Sequence, residues 1–187
     1  MFNQYTFTDD WVTSKKDIWI QVIPRLKEKK QFLEIGSHEG NSAIWFVENA
    51  LEDGGEITCI DSWVWNIKHE STFDSNIALC LKNNCNKKIN KIKGYSYYQL
   101  ACLVSNKKLF DLIYIDGSHI AQDVLTDACF AWGLLKIDGI IIFDDYLLKV
   151  DDTNQYAKIA IDLFTNIFNK QIEYLYIGNQ LIIKKAR

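Results

Sequence analysis

The segment Gln31-Phe-Leu-Glu-Ile-Gly-Ser-His-Glu-Gly-Asn-Ser-Ala43 reads as a short buried strand, a glycine turn and the start of a helix. Phe32, Leu33 and Ile35 make the apolar run, Gly36 ends it, and a polar loop through Ser37, His38 and Gly40 leads into helical periodicity. A strand feeding a helix N-terminus through such a turn aims backbone N–H groups at an anionic ligand. Gly36 and Gly40 permit positive φ and close backbone approach. The spacing is Glu-x-Gly-x-x-x-Gly, which differs from the Gly-x-Gly-x-x-Gly of dinucleotide enzymes.

Alternating strands and helices surround this segment. A helix is expected over about 14–29, with Pro24 kinking or dividing it. Phe2, Tyr5, Phe7 and Trp11 precede it, either as an arm pinned by its aromatics or as a flap over a pocket. After the opening strand come a helix over 41–51, a strand over 56–60, and a partly helical stretch over 66–86 broken near Lys68–Ser71. A third strand over 89–92 ends at Gly94, and Ser96 is placed as the cap of the next helix. A strand over 109–115, a helix over 120–132 closed by Gly133, a strand over 139–143 and an amphipathic helix over 153–169 complete the alternation. Strands over 172–177 and 180–184 then flank a turn at Gly178 and Asn179. This pattern predicts an α/β fold: a doubly wound, mostly parallel seven-stranded sheet with an antiparallel C-terminal hairpin and helices on both faces. A single domain over 1–187 is expected, with an arm and helix over 1–30 and the core over 31–187.

Composition narrows the function. At 48% hydrophobic and 24% charged, the chain is ordinary for a globular protein. A net charge of −3 with only Arg25 and Arg187 as arginines gives no basis for a nucleic-acid partner. No apolar run has the length of a membrane span and no signal-peptide pattern opens the chain, so a soluble, cytoplasmic protein is expected. Five cysteines lack metal-ligand spacing; Cys59, Cys102 and Cys129 sit among apolar residues and are expected as small buried hydrophobes. The lysines over 82–93 read as a solvated helix end and a protected edge strand.

The chemistry-bearing residues fall at strand ends. Asp61 closes the second strand about 20 residues beyond the glycine turn, where a carboxylate can take two ribose hydroxyls, or can simply cap its loop. Ser62, Trp63 and Trp65 follow, and an aromatic there either covers a base or packs in the core. Asp116 with His119, and the pair Asp144–Asp145, end the fourth and fifth strands. Three carboxylates at neighbouring strand ends repel one another unless a cation lies between them, and oxygen ligation suits magnesium; the other reading has Asp116 and Asp144 capping the helices after their strands. His119, placed on the first turn of the following helix, is suited to act as a general base, with a structural histidine as the other reading. His69 has no assigned role.

These motifs in order resemble the class I S-adenosylmethionine-dependent methyltransferases, in particular the small metal-dependent O-methyltransferases of the macrocin and catechol types. The resemblance rests on Phe-Leu-Glu-Ile-Gly at 32–36, Ile-Asp-Ser-Trp at 60–63, Tyr-Ile-Asp-Gly-Ser-His at 114–119, Ile-Phe-Asp-Asp-Tyr at 142–146 and Ala-Ile-Asp-Leu-Phe at 160–164. It implies S-adenosylmethionine and a divalent metal as cofactors. Glu34, Gly36, Ser37, His38 and Gly40 would shape the methionine side, Asp61 would hold the ribose, and Ser62, Trp63 and Ser96 would lie near the adenine. Asp116, Asp144 and Asp145 match the family's metal ligands, with Asp116 also bordering the cofactor, and His119 matches the catalytic base. The implied activity is O-methylation of a small-molecule or sugar hydroxyl, with a homodimer as one option for assembly. A non-catalytic S-adenosylmethionine-binding or scaffold protein is the alternative of another class; a nicotinamide oxidoreductase is disfavoured by the glycine spacing.

Overall fold

The computed structural model describes residues 4–64, 66–148 and 156–186. Phe2, Trp65 and the expected helix start at 153–155 lie outside them. Helix α1 (Lys16–Val22) is followed by β1 (Gln31–Ile35), α2 (Asn41–Asn49), β2 (Glu56–Asp61) and α3 (Ile67–Asn83). Then come β3 (Lys88–Lys93), α4 (Ser96–Ser105), β4 (Phe110–Ile115) and α5 (Ala121–Leu134). The chain ends with β5 (Leu135–Phe143), α6 (Ala157–Ile167), β6 (Ile172–Ile177) and β7 (Leu181–Lys185). Seven strands form one sheet in the order β3-β2-β1-β4-β5-β7-β6. The first five run parallel, and β7 pairs antiparallel with both β5 and β6. This is the Rossmann-like, mostly parallel seven-stranded sheet with an antiparallel C-terminal hairpin that the sequence pattern predicts.

Period-two alternation sorts the strand residues onto two cores. Phe32, Leu112, Tyr114, Ile140, Ile142 and Ile182 face one cluster together with Trp19 of α1 and Phe46 of α2. Leu33, Ile35, Ile113, Ile115, Ile141 and Ile183 face the other, with Val124 of α5 and Phe164 of α6. Both faces of the parallel sheet are thereby covered, as parallel sheets require. The strand order reverses between β1 and β4, so the crevice beyond their carboxyl ends is the topological switch point.

Gly36 is demanded at that point by sterics. It has φ +88°, and a Cβ there would lie 2.0 Å from the Asp116 carbonyl oxygen. The Asp116 N–H donates to the Ile35 carbonyl at 2.8 Å, locking the two loops together.

Several expectations are corrected. Pro24 divides the first helix as expected, but the helical stretch is shorter than 14–29. Helix α1 runs from Lys16 to Val22, a 3₁₀ turn over Ile23–Arg25 takes in Pro24, whose missing N–H fits a helix start and not its interior, and Leu26 is extended. Helix α3 runs unbroken through Lys68–Ser71, because the Asn66 side chain accepts from the Lys68 N–H and so starts the helix there. Ser96 is the first residue of α4 and not its cap; Tyr95 takes that position without a side-chain bond. Gly133 lies inside α5, which passes directly into a β5 that begins at Leu135. Cys102 and Cys129 are exposed, whereas Cys59 and Cys80 are buried. Lysine-rich β3 is the edge strand, as expected, and Lys91 and Lys93 both pair with Glu70.

Trp19 is fully buried between Phe46 and Tyr114, and its Nε1 donates to Gln180 Oε1 at 2.8 Å, tying α1 to the turn before β7. Trp19→Ala is expected to cost about 3–5 kcal/mol of unfolding free energy in urea denaturation, the range for a truncated core tryptophan.

Candidate active site

Pairing register assembles the floor of the site. Lys91, Cys59, Glu34, Tyr114, Ile142 and Ile182 are successive partners across β3, β2, β1, β4, β5 and β7, so they form one row on one face of the sheet. Glu34 and Tyr114 are neighbours in that row. Glu34 lies in β1 just before the glycine loop, and Tyr114 reaches the carboxylates beyond β4 and β5.

At the glycine loop, Ser42 of α2 donates its hydroxyl to Glu34 Oε1 at 2.5 Å. Glu34 Oε2 and the Ser37 hydroxyl are buried with no hydrogen-bond partner. Burial pushes the Glu34 carboxyl up to about 7. A buried carboxylate oxygen and hydroxyl left unpaired cost free energy unless a ligand supplies the donor. Gly40 caps α2 in the left-handed region, at φ +85°, and no side chain closes that helix start.

Asp61 laces two loops together. Its oxygens accept from the His38 N–H at 2.9 Å and the Trp63 N–H at 2.8 Å, while Trp63 Nε1 donates to the His38 carbonyl at 2.8 Å. Each Asp61 oxygen retains a free lone pair for a further donor. Trp63 is buried against Phe73, with Lys91 Nζ 4.8 Å from its ring centroid, so its ring packs in the core. Ser62 is half-buried beside it. Ser96 sits beside Asp127, whose carboxyl burial raises to about 6.

The N-terminal arm packs over this loop. Thr8 donates its N–H to Glu39 Oε2 at 2.7 Å, and Trp11 lies 5.3 Å from the His38 ring, which packs at a tilt of 58° against His69, 4.0 Å away. Tyr5 bonds Glu48.

Beyond β4 and β5 the carboxylates converge, but not as a set of three aspartates. Asp116, His119 and Asp145 each offer a ligand atom, all within 4.8 Å of one another. His119 lies in the loop before α5 and not on its first turn; its Nε2 is 2.8 Å from Asp145 Oδ2. That hydrogen bond raises the histidine above its ordinary value, with burial opposing. Asp144 is engaged elsewhere. It is ion-paired with Lys15 and accepts from the Tyr114 hydroxyl, which also lies 2.7 Å from Asp116 Oδ2. Burial and the Asp144 charge raise Asp116, whereas Lys15 holds Asp144 low against the effect of burial. Lys15 and Tyr114 are the residues that sequence reasoning missed. Tyr114 could have been found, because it lies two positions before Asp116 on the same strand and so shares its face. A cavity of about 360 Å³ opens beside this cluster, lined by Lys15, Ile18, Asp144, Asp145, Tyr176 and Asn179 among others.

Residues 33–146 match the family model described as a methyltransferase domain. An uncharacterized protein of Acanthamoeba polyphaga mimivirus is 29% identical over 125 residues, covering 64% of this chain and 53% of that protein. The chain thus spans about half the length of that curated relative. Among solved structures, an O-methyltransferase from Bacillus cereus in complex with SAH superposes with a TM-score of 0.72 at 21% identity, covering 96% of this chain and 83% of that one. An SAH-bound methyltransferase from Podospora anserina gives 0.66 at 19% identity, covering 91% of this chain and 76% of that one. At these identities the structural likeness speaks to the fold.

The Glu34 carboxyl sets a pH signature. Because its folded value lies above the usual 4.5, the folded state binds the extra proton, and stability falls as pH rises from about 4.5 through about 7. Glu34→Gln is expected to flatten this dependence and to gain up to roughly 3 kcal/mol by about pH 8. Urea denaturation of both proteins between pH 5 and 8 measures it.

Proposed function

The chain belongs to the methyltransferase-domain family, and we propose that it transfers a methyl group from S-adenosylmethionine to a hydroxyl of a small molecule, a sugar hydroxyl ahead of a catechol. One observation carries this reading. At the switch point, a glycine loop with an unpaired buried carboxylate oxygen lies beside a carboxylate–histidine cluster and an open cavity. The SAH-bound Bacillus cereus structure on the same fold supports the choice of cofactor.

The residues fit that cofactor. Glu34 Oε2 and the Ser37 hydroxyl lack partners and can meet donors of its methionine end, and the free lone pairs of Asp61 suit paired ribose hydroxyls. S-adenosylmethionine supplies the electrophilic methyl group. Asp116 and Asp145 also offer two oxygens that suit a divalent cation, with His119 beside them. Asp116 and Asp145 would hold it, and a bound cation lowers the pKa of an acceptor hydroxyl. Asp145 orients His119 through Nε2, which leaves Nδ1 to take the acceptor proton as the oxygen attacks in line. Holding the two reactants in line supplies much of the rate. The cavity mixes polar Asn179, Asp145 and Ser14 with apolar Ile18, Leu147 and Tyr176, which suits a hydroxylated ring with one less polar face.

Labelled methyl transfer to a panel of sugars, nucleotide sugars and catechols, with magnesium and with chelator, tests the reading; no transfer combined with S-adenosylhomocysteine binding would favour the non-catalytic alternative. Asp61→Ala is expected to weaken S-adenosylhomocysteine binding at least tenfold in calorimetry, since charge-assisted bonds are lost. His119→Ala is expected to lower turnover by about 10²–10⁴-fold with cofactor affinity retained. A variant that keeps the parental rate would leave His119 a structural residue.

A further inference from the structure

We infer that Lys15 is the site's own counter-cation: its ammonium balances Asp144 and faces Asp116, so a divalent ion gains Asp144 only by displacing it. The inference rests on the proposed function and concerns how its metal site is filled.

The Asp144 side chain is only 3% exposed, and a carboxylate buried to that degree needs a charged partner or several hydrogen bonds. Lys15 provides the charge. Its Nζ pairs with Asp144 Oδ2, lies 3.4 Å from the Tyr114 hydroxyl and 3.8 Å from Asp116 Oδ2. Asp116 and Asp144 come from adjacent strands and share the single hydroxyl of Tyr114, so one further positive charge is what the pair lacks.

The placement is built in. The Lys15 N–H donates to the Val12 carbonyl at 2.9 Å, Val12 is buried, and α1 starts at the next residue with Trp19 anchored in the core. The side chain also has somewhere to go. Lys15 lines the 360 Å³ cavity, so its flexible four-carbon stem can withdraw from Asp144 without moving α1. Asp116 and Asp145 stay available to an ion whether or not Lys15 is in place, and its withdrawal would add Asp144 as a further oxygen donor.

Calorimetric titration with Mn²⁺ of the whole chain, of Lys15→Met and of Lys15→Met/Asp144→Asn tests this. Lys15→Met is expected to bind Mn²⁺ at least tenfold more tightly than the parent, and the double variant to lose that gain. Equal affinity in parent and Lys15→Met, including no binding by either, overturns the inference. Amine acetylation followed by mass spectrometry gives a readout on the parent chain that does not require the variant to fold. In chelator, Lys15 is expected to label far more slowly than the exposed Lys27, and to accelerate once Mn²⁺ saturates the site. Labelling as fast as Lys27 in chelator, or no change in Mn²⁺-saturated protein, overturns it. S-adenosylhomocysteine affinity on the same samples reports on the cofactor reading separately, so the two can fail independently.

Discussion

Asp116 and Asp144 are brought to one point by adjacent parallel strands, and the repulsion between them has to be met. The chain meets it from both sides. Tyr114 rises from within β4 to bridge the two carboxylates, and Lys15 arrives from the N-terminal arm to neutralise Asp144. Taking charges out of water costs several kcal/mol per ion, and attraction offsets that only when the geometry and remaining hydrogen bonds are good. Here the Asp145 N–H supplies another bond to Asp144 Oδ1, at 2.9 Å. The docking of α1 through Trp19 and Gln180 is therefore part of the site's electrostatics as well as of the core.

A second group of buried polar atoms is left unmet. Glu34 Oε2, Ser37 Oγ and Asp127 Oδ1 are buried without partners. Two of these flank the glycine turn, and Asp127 lies beside Ser96 at the start of α4. Each destabilises the free protein by the desolvation of an unpaired group. Glu34 and Ser37 lie at the carboxyl end of β1, where the proposed cofactor would supply the missing partners.

The fold was legible because its signals are local. Period-two runs marked the strands, Gly36 marked the turn, and aspartates at strand ends marked the crevice face. Asp116 and His119 were likewise readable as one cluster, since a loop of three residues cannot take them far apart. Lys15 was not legible: it meets Asp144 across 129 positions, and only the docking of α1 sets that contact. The unbroken α3 was misread because Lys68–Ser71 is polar, whereas Glu70 is held by two lysines of the edge strand. Cys102 and Cys129 have apolar sequence neighbours, yet they lie on the outer faces of α4 and α5, where helical phase decides burial.

The arm's position joins the two halves of the proposed site. Thr8 and Trp11 rest on the glycine loop through Glu39 and His38, and four residues after Trp11, Lys15 reaches the carboxylates. Between those contacts Val12 is buried in the core and its carbonyl accepts the Lys15 N–H at 2.9 Å, which ties the arm to the start of α1. The N-terminal arm thus touches both the glycine loop and, through Lys15, the carboxylate end of the proposed site, and the Lys15 ammonium is the cation paired with Asp144.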